Sequence, residues 1–84
     1  MIVDMFAVNR FVIFLRCQYP EIELRVVYDM AHFELTVTIY PKRHGLYSTF
    51  VGKATVYETE KAIEVINTFF INYLAELSKM GVKL

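Results

Sequence analysis

The chain has 84 residues, 56% of them hydrophobic, and its nine basic and nine acidic residues cancel. This length predicts a single domain, residues 1–84, near the lower limit of what folds without disulfides or metals. Phosphate neutralisation supplies most of the affinity of nucleic-acid-binding proteins, so zero net charge argues against a protein dedicated to nucleic acid. The balance equally argues against an acidic mimic of DNA.

The apolar start of the chain, residues 1–15, lacks the positive beginning and small-residue cleavage site of a signal peptide. It is too short for a membrane span of about 20 apolar residues. Four polar residues also interrupt it or follow it closely, namely Asp4, Asn9, Arg10 and Arg16. The single cysteine, Cys17, excludes an internal disulfide and suits a reducing compartment. We therefore expect a cytoplasmic protein that does not enter the membrane.

The first predicted element is a helix over Asp4–Gln18, with Asp4 as N-cap and Pro20 beyond its end. At about 100° per residue, one apolar stripe contains Val8, Phe11, Val12, Leu15 and Tyr19. A second stripe on the opposite side contains Phe6, Ile13 and Cys17, with Arg10 at its edge. A helix that is apolar on two sides must be covered on two sides. One side can meet a sheet, and the other needs a second helix or another chain.

Between Glu21 and Tyr40 apolar and polar residues alternate almost without error, which is the period of a β-strand with one dry face. The predicted dry face contains Ile22, Leu24, Val26 and Tyr28 from one segment and Phe33, Leu35, Val37 and Ile39 from the next. Residues 29–32 form a connection short enough to make the two strands an antiparallel hairpin.

A third strand is predicted over Tyr47–Tyr57, where Gly52 and Ala54 suggest a bulge or a closely packed helix. The last helix is predicted from Thr59 to Met80, with Thr59 as cap and Gly81 as left-handed terminator. Its apolar arc contains Ile63, Val65, Ile66, Phe69, Phe70, Tyr73, Leu74, Leu77 and Met80. The expected fold is α+β in the order α-β-β-β-α, a three-stranded antiparallel sheet with two helices packed on one face.

Catalytic and metal chemistry find little support in the sequence. His32 and His44 flank the second strand, which places them about 25 Å apart at its opposite ends, too far for one metal ion. Cys17 would need a histidine base within hydrogen-bond reach on a helix that is apolar all round. Phosphate-binding glycine motifs and zinc-ligand spacings are absent from the sequence. We therefore expect neither an enzyme nor a bound cofactor or metal.

A local excess of basic residues follows the hairpin, and it is the second candidate surface. It combines a predicted loop with the neighbouring strands and contains Tyr40, Lys42, Arg43, His44, Tyr47 and Lys53. Tyrosines beside cations suit both protein and nucleic-acid contacts. The adjoining exposed face of the sheet is expected to carry Arg25, Thr36, Thr38, Tyr40, Thr49, Lys53, Thr55 and Tyr57, with Glu21, Glu23 and Glu34 beside them. An ordinary solvated strand face explains these residues equally well.

The order of helix, three strands and helix resembles the double-stranded RNA-binding domain over most of the chain. That family begins its second helix with a lysine-rich segment that clamps phosphates. Here residues 58–64 hold three acids and one lysine, so the resemblance carries the topology and no RNA-binding role. The loop at residues 29–32 also lacks the glycine and proline of the family. The same order is similar to some small phage-encoded inhibitors of CRISPR nucleases, which are strongly acidic where this chain is neutral.

The leading hypothesis is a small non-enzymatic protein-interaction module that self-associates as a homodimer through Phe6, Ile13 and Cys17. The first alternative is a nucleic-acid-binding module that uses the basic residues between 42 and 53 and the exposed sheet face. The second alternative is a small inhibitor or accessory subunit that acts on a larger protein, and it explains the same apolar surplus.

Overall fold

The computed structural model describes residues 2–43 and 48–82. Its elements follow the predicted order: α1 (Met5–Gln18), β1 (Ile22–Asp29), β2 (Glu34–Pro41), β3 (Phe50–Thr55) and α2 (Thr59–Lys79). The third strand is shorter than predicted, and its predicted first residue, Tyr47, lies outside the described residues. Neither helix in the described part of the chain is long and apolar enough to cross a membrane.

The three strands form one antiparallel sheet in the order β1-β2-β3. The register pairs Val26 with Val37 and Val37 with Gly52, so the apolar parities of all three strands share one face. Both helices cover this face: α1 contacts β1, α2 contacts β2 and β3, and the helices contact each other. The predicted α+β architecture is therefore confirmed, and the core lies between the sheet and the helix layer.

Gly52 lies where α2 packs closely against the sheet. A Cβ atom at this position would lie 2.8 Å from Cε2 of Phe69 and 2.9 Å from the ring of Phe50. The two rings pack against each other with centroids 5.3 Å apart. A closely packed helix, one of the two predicted reasons for small residues here, is what the structure contains.

The start of α1 is capped and tied to α2. Asp4 Oδ1 accepts hydrogen bonds from the backbone amides of Phe6, at 3.0 Å, and Ala7, at 3.3 Å, as predicted for an N-cap. The amide of Asp4 donates to Oγ1 of Thr59 at 2.8 Å. The prediction of Thr59 as the cap of α2 is wrong, because Glu58 occupies the N-cap position and makes no side-chain cap bond. The hydroxyl of Thr59 instead joins the beginnings of the two helices.

The helices lie side by side and run in the same direction. Their beginnings meet at Asp4 and Thr59. Further along, the rings of Tyr19 and Phe70 pack edge to face, with their centroids 5.4 Å apart. The inner residues of α1 are Val8, Val12 and Leu15, and those of α2 are Ala62, Ile66, Phe70, Tyr73 and Leu77. All of them except Ala62 belong to the stripes that helical spacing predicted; Ala62 is buried but was not among the predicted residues.

The end of α2 is the left-handed terminator that the sequence predicted. Gly81 has φ +77°, its amide donates to the carbonyl of Ser78 at 3.0 Å, and the amide of Val82 donates to that of Leu77 at 3.0 Å. Met80 was predicted in the apolar arc, but it is exposed. It occupies the C-cap position, where the backbone is no longer helical, so the helical spacing used to predict the arc does not apply to it.

The hairpin turn is displaced by one residue from its predicted position. Asp29 is still part of β1, and the turn runs through Phe33, which has φ +53°. Phe33 was predicted on the dry face with Leu35, but the left-handed backbone turns its side chain out of the strand parity. Its ring packs against that of Tyr57, with centroids 4.9 Å apart, and is partly exposed.

A histidine–carboxylate pair closes the same turn. His32 Nδ1 lies 2.8 Å from Oδ2 of Asp29, and Oδ1 of Asp29 accepts from the amide of Ala31 at 3.0 Å. The hydrogen bond with Asp29, and then its negative charge, raise the pKa of His32 above 6.5. The pKa of Asp29 is lowered below 3.8, and the main cause is its hydrogen bond with His32.

This pair should make the stability of the turn depend on pH. The contribution of His32 is fully present below pH 6.5 and is lost as pH rises through its raised pKa. The contribution of Asp29 is present above pH 3.8 and is lost as pH falls through its lowered pKa. An NMR titration in a His44→Gln background should give His32 a pKa above 6.5, and Asp29→Asn should move it back toward that value. An unchanged pKa in Asp29→Asn would show that the pair does not form.

Candidate functional site

The outer side of α1 carries an uncovered row of side chains, which we call the outer stripe: Phe6, Arg10, Ile13 and Cys17. Phe6 is 82% exposed, Ile13 is 56% exposed, and the Cys17 thiol is exposed. At about 100° per residue this row lies opposite the buried residues Val8, Val12 and Leu15. The sheet and α2 both contact α1, yet they leave the outer stripe open. The second of the two apolar sides is thus uncovered within the described residues.

Phe14 extends the apolar surface beside the outer stripe, and sequence analysis missed it. It is exposed, and its ring stacks on that of Phe11 at 6.4 Å. Its position four residues after Arg10 was the available signal, because residues four apart lie on the same side of a helix.

Little charge interrupts the outer stripe. The guanidinium of Arg10 makes no ion pair with any described residue, and it stands one turn from Phe6 and from Phe14. The other arginine of α1, Arg16, bonds through Nε to Oε1 of Glu23 at 3.1 Å and so points toward β1. The aliphatic stem of Arg10 can pack beside its apolar neighbours while its charged end stays at the edge.

The residues of the basic region do not assemble into one positive patch. Arg43 Nε lies 3.4 Å from Oε2 of Glu21, and Lys53 Nζ lies 3.9 Å from Oε1 of Glu34. Lys42 is exposed, and its backbone amide bonds to the carbonyl of Glu21 at 2.9 Å. Two of the three described cations of this region are therefore paired with carboxylates. His44 and Tyr47, the remaining predicted members, lie outside the described residues.

The open face of the sheet is mixed in character. The guanidinium carbon of Arg25 lies 5.8 Å from the centre of the Tyr40 ring, so a cation already occupies that ring face. Val27 and Val51 are exposed on this face and were not among the residues assigned to it. Strand alternation was the available signal, because Val27 is two residues after Arg25 and Val51 lies between Thr49 and Lys53.

A cavity of about 310 Å³ lies between the start of β3 and the second half of α2, lined by Ser48, Thr49, Phe50, Phe69, Asn72, Tyr73 and Glu76. Its one carboxylate, Glu76, pairs with Lys79 at 3.3 Å. Among the described residues, no three histidine, cysteine, aspartate or glutamate side chains come together in a way that could hold a metal ion. The described residues that line the cavity bring together no acid–base pair.

Comparisons of the chain with protein-family models, with curated proteins and with solved structures found no match.

Proposed function

We propose that this chain is a small non-enzymatic protein-interaction module that self-associates as a homodimer through the outer stripe of α1. The observation that carries the proposal is the exposure of Phe6, Ile13 and Cys17 on a helix whose opposite side is already buried. Phe14 adds a further ring to the same surface.

The energetic argument is the burial of these side chains. Complete burial of a large apolar side chain contributes about 1.5–3 kcal/mol. A two-fold interface uses the same patch on both copies, so each residue contributes twice. Net charge is zero, so no long-range repulsion opposes the approach of two copies.

The basic region supports the nucleic-acid alternative less well. The Glu21 and Glu34 carboxylates sit beside Arg43 and Lys53, where they would repel a phosphate backbone. The ring of Tyr40 already lies beneath Arg25. Binding to a larger protein as an inhibitor or accessory subunit would use the same outer stripe, and the oligomeric state of the isolated chain distinguishes it from self-association.

The test is the molar mass of the purified chain by size-exclusion chromatography with light scattering, with absorbance at 260 and 280 nm recorded in line. We expect twice the chain mass of 9.9 kDa, free of nucleic acid. A monomer across the micromolar range would contradict the proposal and favour a larger protein as partner. A peak with excess absorbance at 260 nm would favour the basic region.

A further inference from the structure

The outer edge of β3 carries backbone groups that no described strand pairs. In the sheet order β1-β2-β3, the strand β3 has β2 on one side and no described strand on the other. The amide of Val56 donates to the carbonyl of Phe33 at 2.9 Å, so in an antiparallel ladder the even-numbered residues of β3 turn their N–H and C=O groups toward β2. Those of Val51, Lys53 and Thr55 therefore point to the open edge.

Two cavities lie along this edge, between β3 and α2. The cavity of about 310 Å³ is beside Phe50, and a second cavity, of about 210 Å³, is beside Ala54. Their described lining residues come from α2 and from residues 48–54, and none of them comes from β2. Phe69 lines both cavities, and its ring packs against Phe50 beside Gly52. The two cavities are thus the ends of one groove, narrowed in the middle, which we call the edge groove.

We propose that the edge groove binds an extended peptide segment of another protein, which adds to β3 as an antiparallel strand. An extended backbone matches the open edge because its N–H and C=O groups recur with the spacing of those on β3. A helix bonds its own peptide groups internally, and a small molecule spans too few of them. Antiparallel pairing is slightly more stable per residue than parallel pairing.

The edge groove is separate from the outer stripe. Within the described residues, α1 contacts β1 and α2 but not β3, whereas the groove is built from β3 and α2. Binding of a peptide at the groove is therefore independent of self-association through α1.

The usual protection of a strand edge is turned aside in β3. A lysine on an edge strand commonly deters pairing with another chain, as does a proline. Nζ of Lys53 lies 3.9 Å from Oε1 of Glu34, which is on β2, so this side chain leans across the sheet and away from the free edge. The strand β3 contains no proline. Neither device therefore blocks the approach of a peptide.

The cavities specify which side chains the peptide carries. On an added antiparallel strand, the residues opposite Phe50, Gly52 and Ala54 point toward α2. Phe50 and Ala54 are about 13 Å apart along the strand, so peptide residues four positions apart enter the two cavities. The larger cavity suits phenylalanine and the smaller one valine. The residue between them is small, such as alanine, because the ring of Phe69 lies over Gly52.

The experiment uses the synthetic peptide Lys-Thr-Val-Thr-Ala-Thr-Phe-Thr-Lys, with blocked ends, and measures hydrogen exchange of the isotope-labelled chain by NMR. In the free protein the amides of Gly52 and Ala54 should be protected, and those of Val51, Lys53 and Thr55 should exchange freely. At a peptide concentration of about ten times Kd, exchange of these last three amides should slow about tenfold, because the unbound fraction falls to about one tenth.

Two controls separate backbone pairing from binding of side chains alone. A peptide N-methylated at the two threonines beside its alanine keeps every side chain but loses two donors to β3, and should bind about tenfold more weakly or worse. Lys53→Pro removes a donor at the open edge without removing a bond to β2, and should abolish the peptide-induced protection of Val51 and Thr55. Lys53→Ala keeps this donor and should bind the peptide like wild type. The methylated peptide is tested on the wild-type protein, so its result is independent of how the proline variant folds.

Three results would overturn the inference. The first is free exchange of Val51, Lys53 and Thr55 at about 1 mM peptide, which would place the Kd above that of a weak complex. The second is equal affinity for the methylated and unmethylated peptides, which would show that strand pairing does not occur. The third is slow exchange of the three amides in the free protein, which would show that the edge is already occupied, by a second copy if dilution restores fast exchange.

Discussion

The variant that carries Phe6→Ser and Ile13→Ser is expected to be a folded monomer. Each apolar side chain buried in the interface contributes about 1.5 kcal/mol or more. A symmetric dimer loses four of them in this variant, about 6 kcal/mol, which is roughly a 10⁴-fold increase in Kd. Folding should be little affected, because both positions are exposed in the protomer. Light scattering measures the mass, and circular dichroism checks the helix content.

A matched control is available on the other side of the sheet. Val27 and Val51 are also exposed apolar residues, but they lie on the open face, away from the helices. Val27→Thr with Val51→Thr keeps side-chain shape and strand propensity and should leave the mass unchanged. If this control dissociated and the double serine variant did not, the interface would be the open sheet face.

Phe70→Ala should produce a large loss of stability. Phe70 is 1% exposed in the middle of α2, and its ring meets that of Tyr19. Truncation of a buried phenylalanine to alanine costs about 3–5 kcal/mol, a large part of the roughly 5–15 kcal/mol that holds a small domain together. The free energy of unfolding from urea titrations in the monomeric double serine background would measure this loss without a contribution from dissociation.

Phe14→Ala in the same background is the matched control for Phe70→Ala. Phe14 is an exposed phenylalanine on the neighbouring helix, so the same change should alter the free energy of unfolding by only about 0.5 kcal/mol. A comparable decrease in the free energy of unfolding for both variants would mean that Phe14 belongs to the core. In the wild-type background, by contrast, Phe14→Ala should weaken self-association.

The helices and the hairpin could be predicted because local spacing determines them. The period of 3.6 residues along α1 separated its buried residues from Phe6, Ile13 and Cys17, and the alternation along β1 and β2 identified the dry face. Errors arose where a single backbone angle interrupts the period or where a hydrogen bond joins residues distant in the chain. The left-handed conformation of Phe33 removed it from the dry face, and Thr59 bonded to Asp4 instead of capping its own helix.

The electrostatics of the candidate surfaces could not be predicted in the same way. Arg43 and Glu21 are 22 positions apart in the chain, and only the register of β1 with β2 brings them together. The sequence therefore indicates a local excess of positive charge that includes Arg43, whereas in the fold Arg43 is paired with Glu21. The outer stripe was predictable because its members share one helix, whereas the identity of what covers it depends on a second molecule.

The order of strands in the sheet has a consequence for folding. Each strand pairs with its neighbour in the sequence, so the meander closes only short loops and loses little chain entropy at each step. The contact of α1 with α2 is different, because the bond from Asp4 to Thr59 spans 55 positions. Pairing within the meander and packing of α1 on the adjacent strand β1 are therefore expected to precede the contact between the two helices.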